Sequence, residues 1–486
     1  MYQWLVKMIV AYGLRVRGFD RYCGNGKYKL MNNPTKQKSS TTKPRVFYGW
    51  WIVLASLVAD AMKHGTFNRG FTVYVVPIQA ELGISTAAIG FADSLGRLAG
   101  GIQGPLVGYL TDRFGPRVML IFGGVMSGVG FMLLAFTQSY LSFVLIFLGM
   151  LSVGFRSGYN NASAAAVNNW FRRRRGFAMS VVSIGNGLGG LVAPITAWLV
   201  VAVGWRPAVF ISGVAIIVIV LPLSIVIKRT PENIGLLPDG DMPIDSSDDR
   251  DVAQQAVSSR VVDEVELDFT AKEAMKTSSY WLLVAATGLR NTVHSGATFM
   301  LAPVVIWFLQ GSVNNDDSAA IRMSALFVGL VAVCIVCFGP VVGVWGDRWS
   351  RKHYINKKKV SSFCMIVGAG SFLFLLDQSG NLWQLTIFAI MLGFAESANS
   401  LNWALMGDLY GRSAYATLRG WQHLPDQLLS MWTSAWMGLI YDFTGSYYWA
   451  LVPLVICYLL SAVGYWIIPV PKLPERLRNR ISENAS

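Results

Sequence analysis

Apolar stretches of roughly twenty residues recur along this chain, as in Val118 to Phe136, Pro207 to Ile227 and Ala450 to Val470, and a helix of that length crosses the hydrocarbon core of a bilayer. Six such stretches precede a polar segment at 229–277 and six follow it. Of the 486 residues 53% are apolar and 14% charged, whereas a soluble domain carries roughly a quarter charged residues. Lipid is therefore the solvent for much of the chain. The reading is an all-α membrane protein with twelve transmembrane helices in two six-helix bundles.

Helices placed near 48–79, 88–109, 117–137, 140–167, 177–203, 207–227, 279–309, 322–345, 360–376, 383–406, 421–440 and 447–469 sort the 41 Lys and Arg unevenly. On one side lie 34, within helices 5, and on the other side 2. Cations accumulate in cytoplasmic loops, so the split predicts a multi-pass protein of the cell membrane, plasma or bacterial inner, with both termini cytoplasmic. The same distribution explains the net charge of +14 without a nucleic-acid partner. The basic clusters Arg172 to Arg175 and Lys357 to Lys359 and a ten-cation N-terminal tail read as solvated anchors at the headgroups.

The organisation that follows is a basic cytoplasmic tail at 1–47, a first bundle at 48–228, a cytoplasmic linker at 229–278, a second bundle at 279–470 and a cytoplasmic tail at 471–486. The linker is rich in Asp and closes on an amphipathic run, Phe269 to Met275, expected to lie on the membrane surface. Met1 to Leu14 has no small-residue cleavage site and reads as an interfacial helix or an extension. Five cysteines, Cys23, Cys334, Cys337, Cys364 and Cys457, form no disulfide framework, and Cys334-x-x-Cys337 has no second pair to complete a metal site.

A repeat crosses the linker. Gly108-Tyr-Leu-Thr-Asp112-Arg113-Phe-Gly115-Pro-Arg117 ends the second helix, and Gly343-Val-Trp-Gly-Asp347-Arg348 ends the eighth, 235 residues later. Glycine lets two helices approach closely, and an aspartate at a helix start meets the positive end of its dipole. Two copies at matching topological positions resemble the signature loop of the major facilitator superfamily. That resemblance implies two bundles rocking about a central site, with Gly108, Asp112, Arg113, Arg117, Gly343, Asp347 and Arg348 at a cytoplasmic gate. No phosphate-binding Gly-x-x-x-x-Gly-Lys-Ser/Thr stretch occurs, so the energy source is a proton or solute gradient.

An ionisable residue at membrane depth is costly enough that each is a functional candidate. Arg69 stands in Gly65-Thr-Phe-Asn-Arg69-Gly70 ahead of Pro77, and Arg290-Asn291-Thr-Val-His294 precedes Pro303. Interrupted first and seventh helices at matching places point to a substrate site. Arg290 and His294, four residues apart, share a face suited to gripping a carboxylate while one partner exchanges a proton; in the competing reading both pair with Glu396 or Asp426. Arg156 is open between binding substrate and capping a bundle seam. Asp93 with Arg97, and Asp60 with Lys63 and His64, are either self-contained pairs or, with Glu396 and Asp426, candidate proton-coupling groups.

A finer resemblance rests on Phe47-Tyr-Gly-Trp-Trp51, Phe67-Asn-Arg69-Gly-Phe71, Trp170-Phe171, Arg175-Gly-Phe-Ala178, Pro231-Glu-x-x-Gly-Leu-x-Pro-Asp-Gly240 and Tyr441-Asp-Phe-Thr-Gly-Ser446. Together these resemble bacterial members of the monocarboxylate transporter and oxalate:formate antiporter group. The resemblance implies a substrate-contacting cation at Arg69 and an acidic-basic pair in the eighth helix, which Ala325 to Val344 lacks; Arg290 with His294, or Asp93 with Arg97, stands in for it. The expected activity is transport of a small organic anion, a mono- or dicarboxylate, by proton coupling or anion exchange, with no cofactor and no metal. Efflux of amphipathic compounds, for which 18 Met and 61 aromatic residues offer adaptable surface, and a transporter-like sensor are the alternatives. No nucleophile, base and orienting group cluster as in an enzyme.

Overall fold

The computed structural model describes residues 47–68, 70–83, 86–190, 192–240, 268–309, 317–348, 353–376 and 379–479. Among these, helices dominate, grouped as twelve rods in chain order. In the first bundle, α1 is Gly49–Lys63, a π-helical turn His64–Asn68 and Phe71–Leu82; α2 is Thr86–Phe114 and α3 Pro116–Leu134. Rod α4 joins Tyr140–Ile146, a π-helical Phe147–Tyr159 and Asn160–Trp170, α5 joins Arg175–Gly189 and Val192–Val203, and α6 is Trp205–Val226. In the second bundle, α7 is Ser278–Leu309, α8 Asp317–Arg348, α9 His353–Phe372, α10 Leu382–Glu396 with Asn399–Tyr410, α11 Tyr415–Ser430 with Thr433–Thr444, and α12 Tyr448–Ile467.

Among the described residues five helices, including Pro116–Leu134, Trp205–Val226 and Tyr448–Ile467, are long and apolar enough by themselves to cross a membrane. The other rods are interrupted or carry the polar residues from which the site is built. Gly115 shows how the sequence sets one boundary: its φ of 90° lies in the left-handed region, open to glycine at little cost, and Pro116 then occupies the first helical position, where no amide hydrogen is needed.

Interruption is not symmetric. The Gly65 and Gly70 segment of α1 does leave regular α geometry, as a π turn at His64–Asn68. By contrast α7 runs unbroken through Pro303, correcting the expectation of a broken seventh helix. A second π-helical stretch, Phe147–Tyr159 in α4, was not legible from glycine and proline positions; such stretches concentrate at functional sites.

Glycine makes the close contacts. Along the seam between bundles α2 lies on α11, and a Cβ at Gly104 or Gly108 would run into the Gly420 or Ala416 carbonyl. At the pseudo-symmetric seam α8 lies on α5, where Gly343 meets Ser180 and the Gly176 carbonyl. The Phe47-Tyr-Gly-Trp motif anchors the start of α1: Tyr48 Oη donates to the Val226 carbonyl at 2.8 Å, and Tyr48 and Trp50 pack on Trp170 and Phe171. Phe269 to Met275 does not lie free on a lipid surface. Phe269 is buried against Tyr410, and Ala271–Met275 starts with a capping box between Thr270 and Glu273.

Candidate functional site

Arg290 reaches from α7 to α10 and is 2% exposed. Its Nη1 donates to Asn291 Oδ1 at 3.0 Å and Asn399 Oδ1 at 2.7 Å, and its Nη2 to the Glu396 backbone carbonyl at 3.3 Å and to Glu396 Oε2 in an ion pair. One turn along α7, His294 sets Nδ1 2.6 Å from the same Oε2. Tyr458 of α12 donates to Oε1 at 2.7 Å. The Glu396 side chain is 4% exposed and the His294 side chain 39%, so the imidazole is the open edge of an otherwise enclosed cluster.

Asn291 Nδ2 extends the network to α11, donating to Asp426 Oδ2 at 3.0 Å. Arg290 Nε, Asp426 Oδ1, Asn402 Nδ2 and Gln422 Nε2 are buried without a hydrogen-bond partner among the described residues. A buried polar atom left unpaired costs about 1–3 kcal/mol, so these atoms have most to gain from a polar ligand. Arg419 of α11, 6% exposed, stacks over the Trp403 ring at 3.9 Å and interacts electrostatically with Asp426 and with Asp60 of α1. In the first bundle Asp60 Oδ2 lies 3.6 Å from His64 Nε2, with Lys63 within electrostatic reach, and Asn68 Nδ2 meets His64 Nδ1 at 2.8 Å.

The structure therefore brings together Arg290, Asn291, His294, Glu396 and Asp426 in the second bundle, and Asp60, Lys63 and His64 on α1. Arg290 and His294 are not free: both are held by Glu396. Arg97 is half-buried on α2. Arg69 lies outside the described residues, and so do the side chains of Asp93 and Arg156.

At the linker end of the rods, Asp112 of α2 accepts the Ala416 and Thr417 amides of α11 at 3.1 and 2.8 Å and the Thr417 hydroxyl at 2.7 Å. In the same register Asp347 of α8 accepts the Gly176 and Phe177 amides of α5 at 3.1 and 2.7 Å. Each carboxylate thus sits on first-turn amides that lack an intrahelical acceptor, at the positive end of a helix of the opposite bundle. Gly108 and Gly343, one turn earlier, permit the approach. Arg113, Arg117 and Arg348 are exposed beside these contacts, with Arg113 Nη1 donating to Tyr109 Oη at 3.0 Å.

Two basic clusters are not purely solvated anchors. Lys357 is fully buried, 3.1 Å from Asp347 and 2.5 Å from Asp408, and Arg175 Nη1 reaches Asp408 from the first bundle at 2.8 Å. Asp408 and Arg419 escape the sequence reading because each sits at the polar end of an apolar run, where a loop residue and a buried one look alike.

The family model for the Major Facilitator Superfamily matches residues 64–422. The oxalate:formate antiporter of Oxalobacter formigenes is 28% identical over 342 residues, covering 65% of this chain and 74% of that protein. Monocarboxylate transporter 12 of Xenopus laevis is 23% identical over 476 residues, 92% of this chain and 96% of that one. Among solved structures, the E. coli fucose:proton symporter FucP has the same fold, with a TM-score of 0.60 at 14% identity over 87% of this chain and 98% of that one. These are transporters and not enzymes. With the match spanning most of twelve rods in two bundles, the chain belongs to the Major Facilitator Superfamily.

Proposed function

We propose that this protein is a secondary active transporter of a small organic anion, a mono- or dicarboxylate, working by alternating access with its linker face in the cytoplasm. The observation that carries the reading is Glu396, an internal carboxylate held by Arg290 and His294. A substrate carboxylate is the same ligand chemically, so the same donors serve it once Glu396 withdraws. Protonation of Glu396 removes the charge-assisted part of its bonds, roughly half their strength, and releases Arg290 and His294. One proton then travels with one anion. If anion occupies the donors on both strokes, the same competition gives exchange.

Arg419, with its planar guanidinium stacked on Trp403, is a second cation for a longer or doubly charged substrate, and Arg69 and Arg156 are candidate contributions from the first bundle. The relatives that carry oxalate and formate, or monocarboxylates by their names, support the substrate class, and the distribution of Lys and Arg supports the orientation. The Asp112 and Asp347 latches close the linker face in this state, and their release on rocking opens it.

The test is uptake into proteoliposomes of a panel of radiolabelled mono- and dicarboxylates, with an imposed pH gradient or with counter-loaded anion. Saturable flux of at least one, abolished by Arg290→Ala, is expected. No saturable flux for any of them, or wild-type flux in Arg290→Ala, refutes the reading.

A further inference from the structure

We propose that Asp239 and Asp268, one near each end of the linker, are positioning residues of the linker-face gate, holding ready the helix starts that the gate aspartates grip. Asp239 Oδ2 accepts the Arg172 and Arg173 amides at 3.0 and 2.9 Å. Asp268 Oδ1 accepts the Arg412 and Ser413 amides at 2.8 and 3.2 Å. Four residues further along each loop come the amides taken by Asp347 and Asp112, from Gly176 and Ala416 onward. Both loops therefore carry two successive amide pairs in one register, each pair closed by a carboxylate.

The two carboxylates on a loop differ in which bundle carries them. Asp112 and Asp347 come from the opposite bundle, so their bonds part when the gate opens. Asp239 stays with the first bundle, because the linker start is docked there: Trp170 Nε1 donates to the Lys228 carbonyl at 3.0 Å and Asn169 Nδ2 to the Arg229 carbonyl at 3.1 Å. Asp268 stays with the second bundle, where the Phe269 amide donates to the Tyr410 carbonyl at 3.2 Å and Ser413 Oγ to the Phe269 carbonyl at 3.2 Å.

Asp239 adds an independent observation. It is a non-glycine residue with positive φ, 59°, a conformation that persists only where its surroundings over-determine it. Asp268 has a further consequence for Arg412, whose amide it fixes. The Arg412 guanidinium crosses to the first bundle, donating to the Asn169 carbonyl and to Glu232, each at 3.0 Å. These groups line an open cleft of about 220 Å³ that Asp112 and Arg229 also line. The linker ends thus form the fixed half of the gate, and Asp112 and Asp347 its moving half.

This inference rests on the alternating-access reading, and residue-resolved hydrogen–deuterium exchange on the full-length protein separates the two. In Asp112→Ala/Asp347→Ala, exchange at Gly176, Phe177, Ala416 and Thr417 should rise at least tenfold, about 1.4 kcal/mol, while Arg172, Arg173, Arg412 and Ser413 stay within about twofold of wild type on the same scale. If the first group stays protected, the opening gate itself is wrong. If both groups lose protection together, the fixed-half proposal is wrong and the gate reading stands. In the second arm, Asp268→Ala should lower the maximal transport rate with KM unchanged and expose the Ala416 and Thr417 amides. Asp268→Asn should restore both, since a single oxygen accepts both amides. An Asn variant as impaired as the Ala variant, or an Ala variant equal to wild type, overturns the proposal.

Discussion

Replacing Glu396 by Gln leaves the shape of the cluster and removes its negative charge. In the wild-type protein Oε2 is shared by Arg290 and His294 and Oε1 receives the Tyr458 hydroxyl. A substrate carboxylate must displace the first two of these bonds. Hydrogen bonds to a charged group contribute about 1.5–3 kcal/mol against about 1 for neutral ones, so neutralising the competitor should favour the substrate by roughly 1–3 kcal/mol, a roughly 5- to 150-fold tighter Kd. The empty variant meanwhile leaves the buried Arg290 without its counter-charge, a defect of up to about 3–5 kcal/mol in a buried pair, which bound anion should relieve. Isothermal titration and thermal unfolding with a substrate found in the flux screen read both effects. Glu396→Gln should bind more tightly with no pH dependence, melt lower when empty, regain most of that loss with substrate, and lose more than tenfold of its pH-driven net uptake while keeping exchange. Wild-type affinity together with wild-type pH dependence in this variant would falsify the assignment of Glu396 as competitor and proton carrier.

Three other outcomes follow from the same geometry. Gly104→Leu places a side chain against the Gly420 carbonyl at the seam, so transport should fall at least about tenfold through failed closure of the linker face, with monodisperse protein in size-exclusion chromatography; wild-type rates would contradict the seam. Lys357→Met removes the cation that Asp347 and Asp408 share, leaving Arg175 on Asp408, and should cost about 3–5 kcal/mol in chemical unfolding, whereas Lys359→Met should stay within about 0.5 kcal/mol of wild type; equal effects would mean Lys357 is as solvated as its neighbour. Desolvation pushes the Glu232 carboxyl up, but its own backbone amide and the Arg412 guanidinium outweigh this and hold it below its ordinary value of 4.5. A lowered carboxylate stabilises above its unfolded value and loses that stability only as pH falls through the folded one, so amide protection at residues 232–234 should be flat from about pH 5 to 8 and decline only in acid. A decline near neutral pH would sink this account.

Legibility followed chemistry. Asp112 and Asp347 stand out because a repeat separated by a fixed spacing survives any uncertainty in helix ends. Arg290, His294 and Glu396 were visible because a charge inside an apolar run is conspicuous. Their mutual pairing was one of two open readings, and choosing between these needs the rotation of α7 against α10. Lys357 and Arg175 belong to runs of like charge, and a run does not reveal which of its members turns inward. Pro303 was read as a break, yet α7 absorbs it.

By itself the sequence determined that the chain lives in lipid, that it has two related halves, and where its expensive charges lie, since span length, apolar content and motif spacing are properties of the chain along its length. Only the tertiary structure decided which charges neutralise one another, that Arg290 and His294 share Glu396, and that linker aspartates and gate aspartates take successive amide pairs of the same two loops. Those facts depend on segments distant in sequence approaching to hydrogen-bond distance, where energies change over fractions of an ångström and no local pattern specifies the partner.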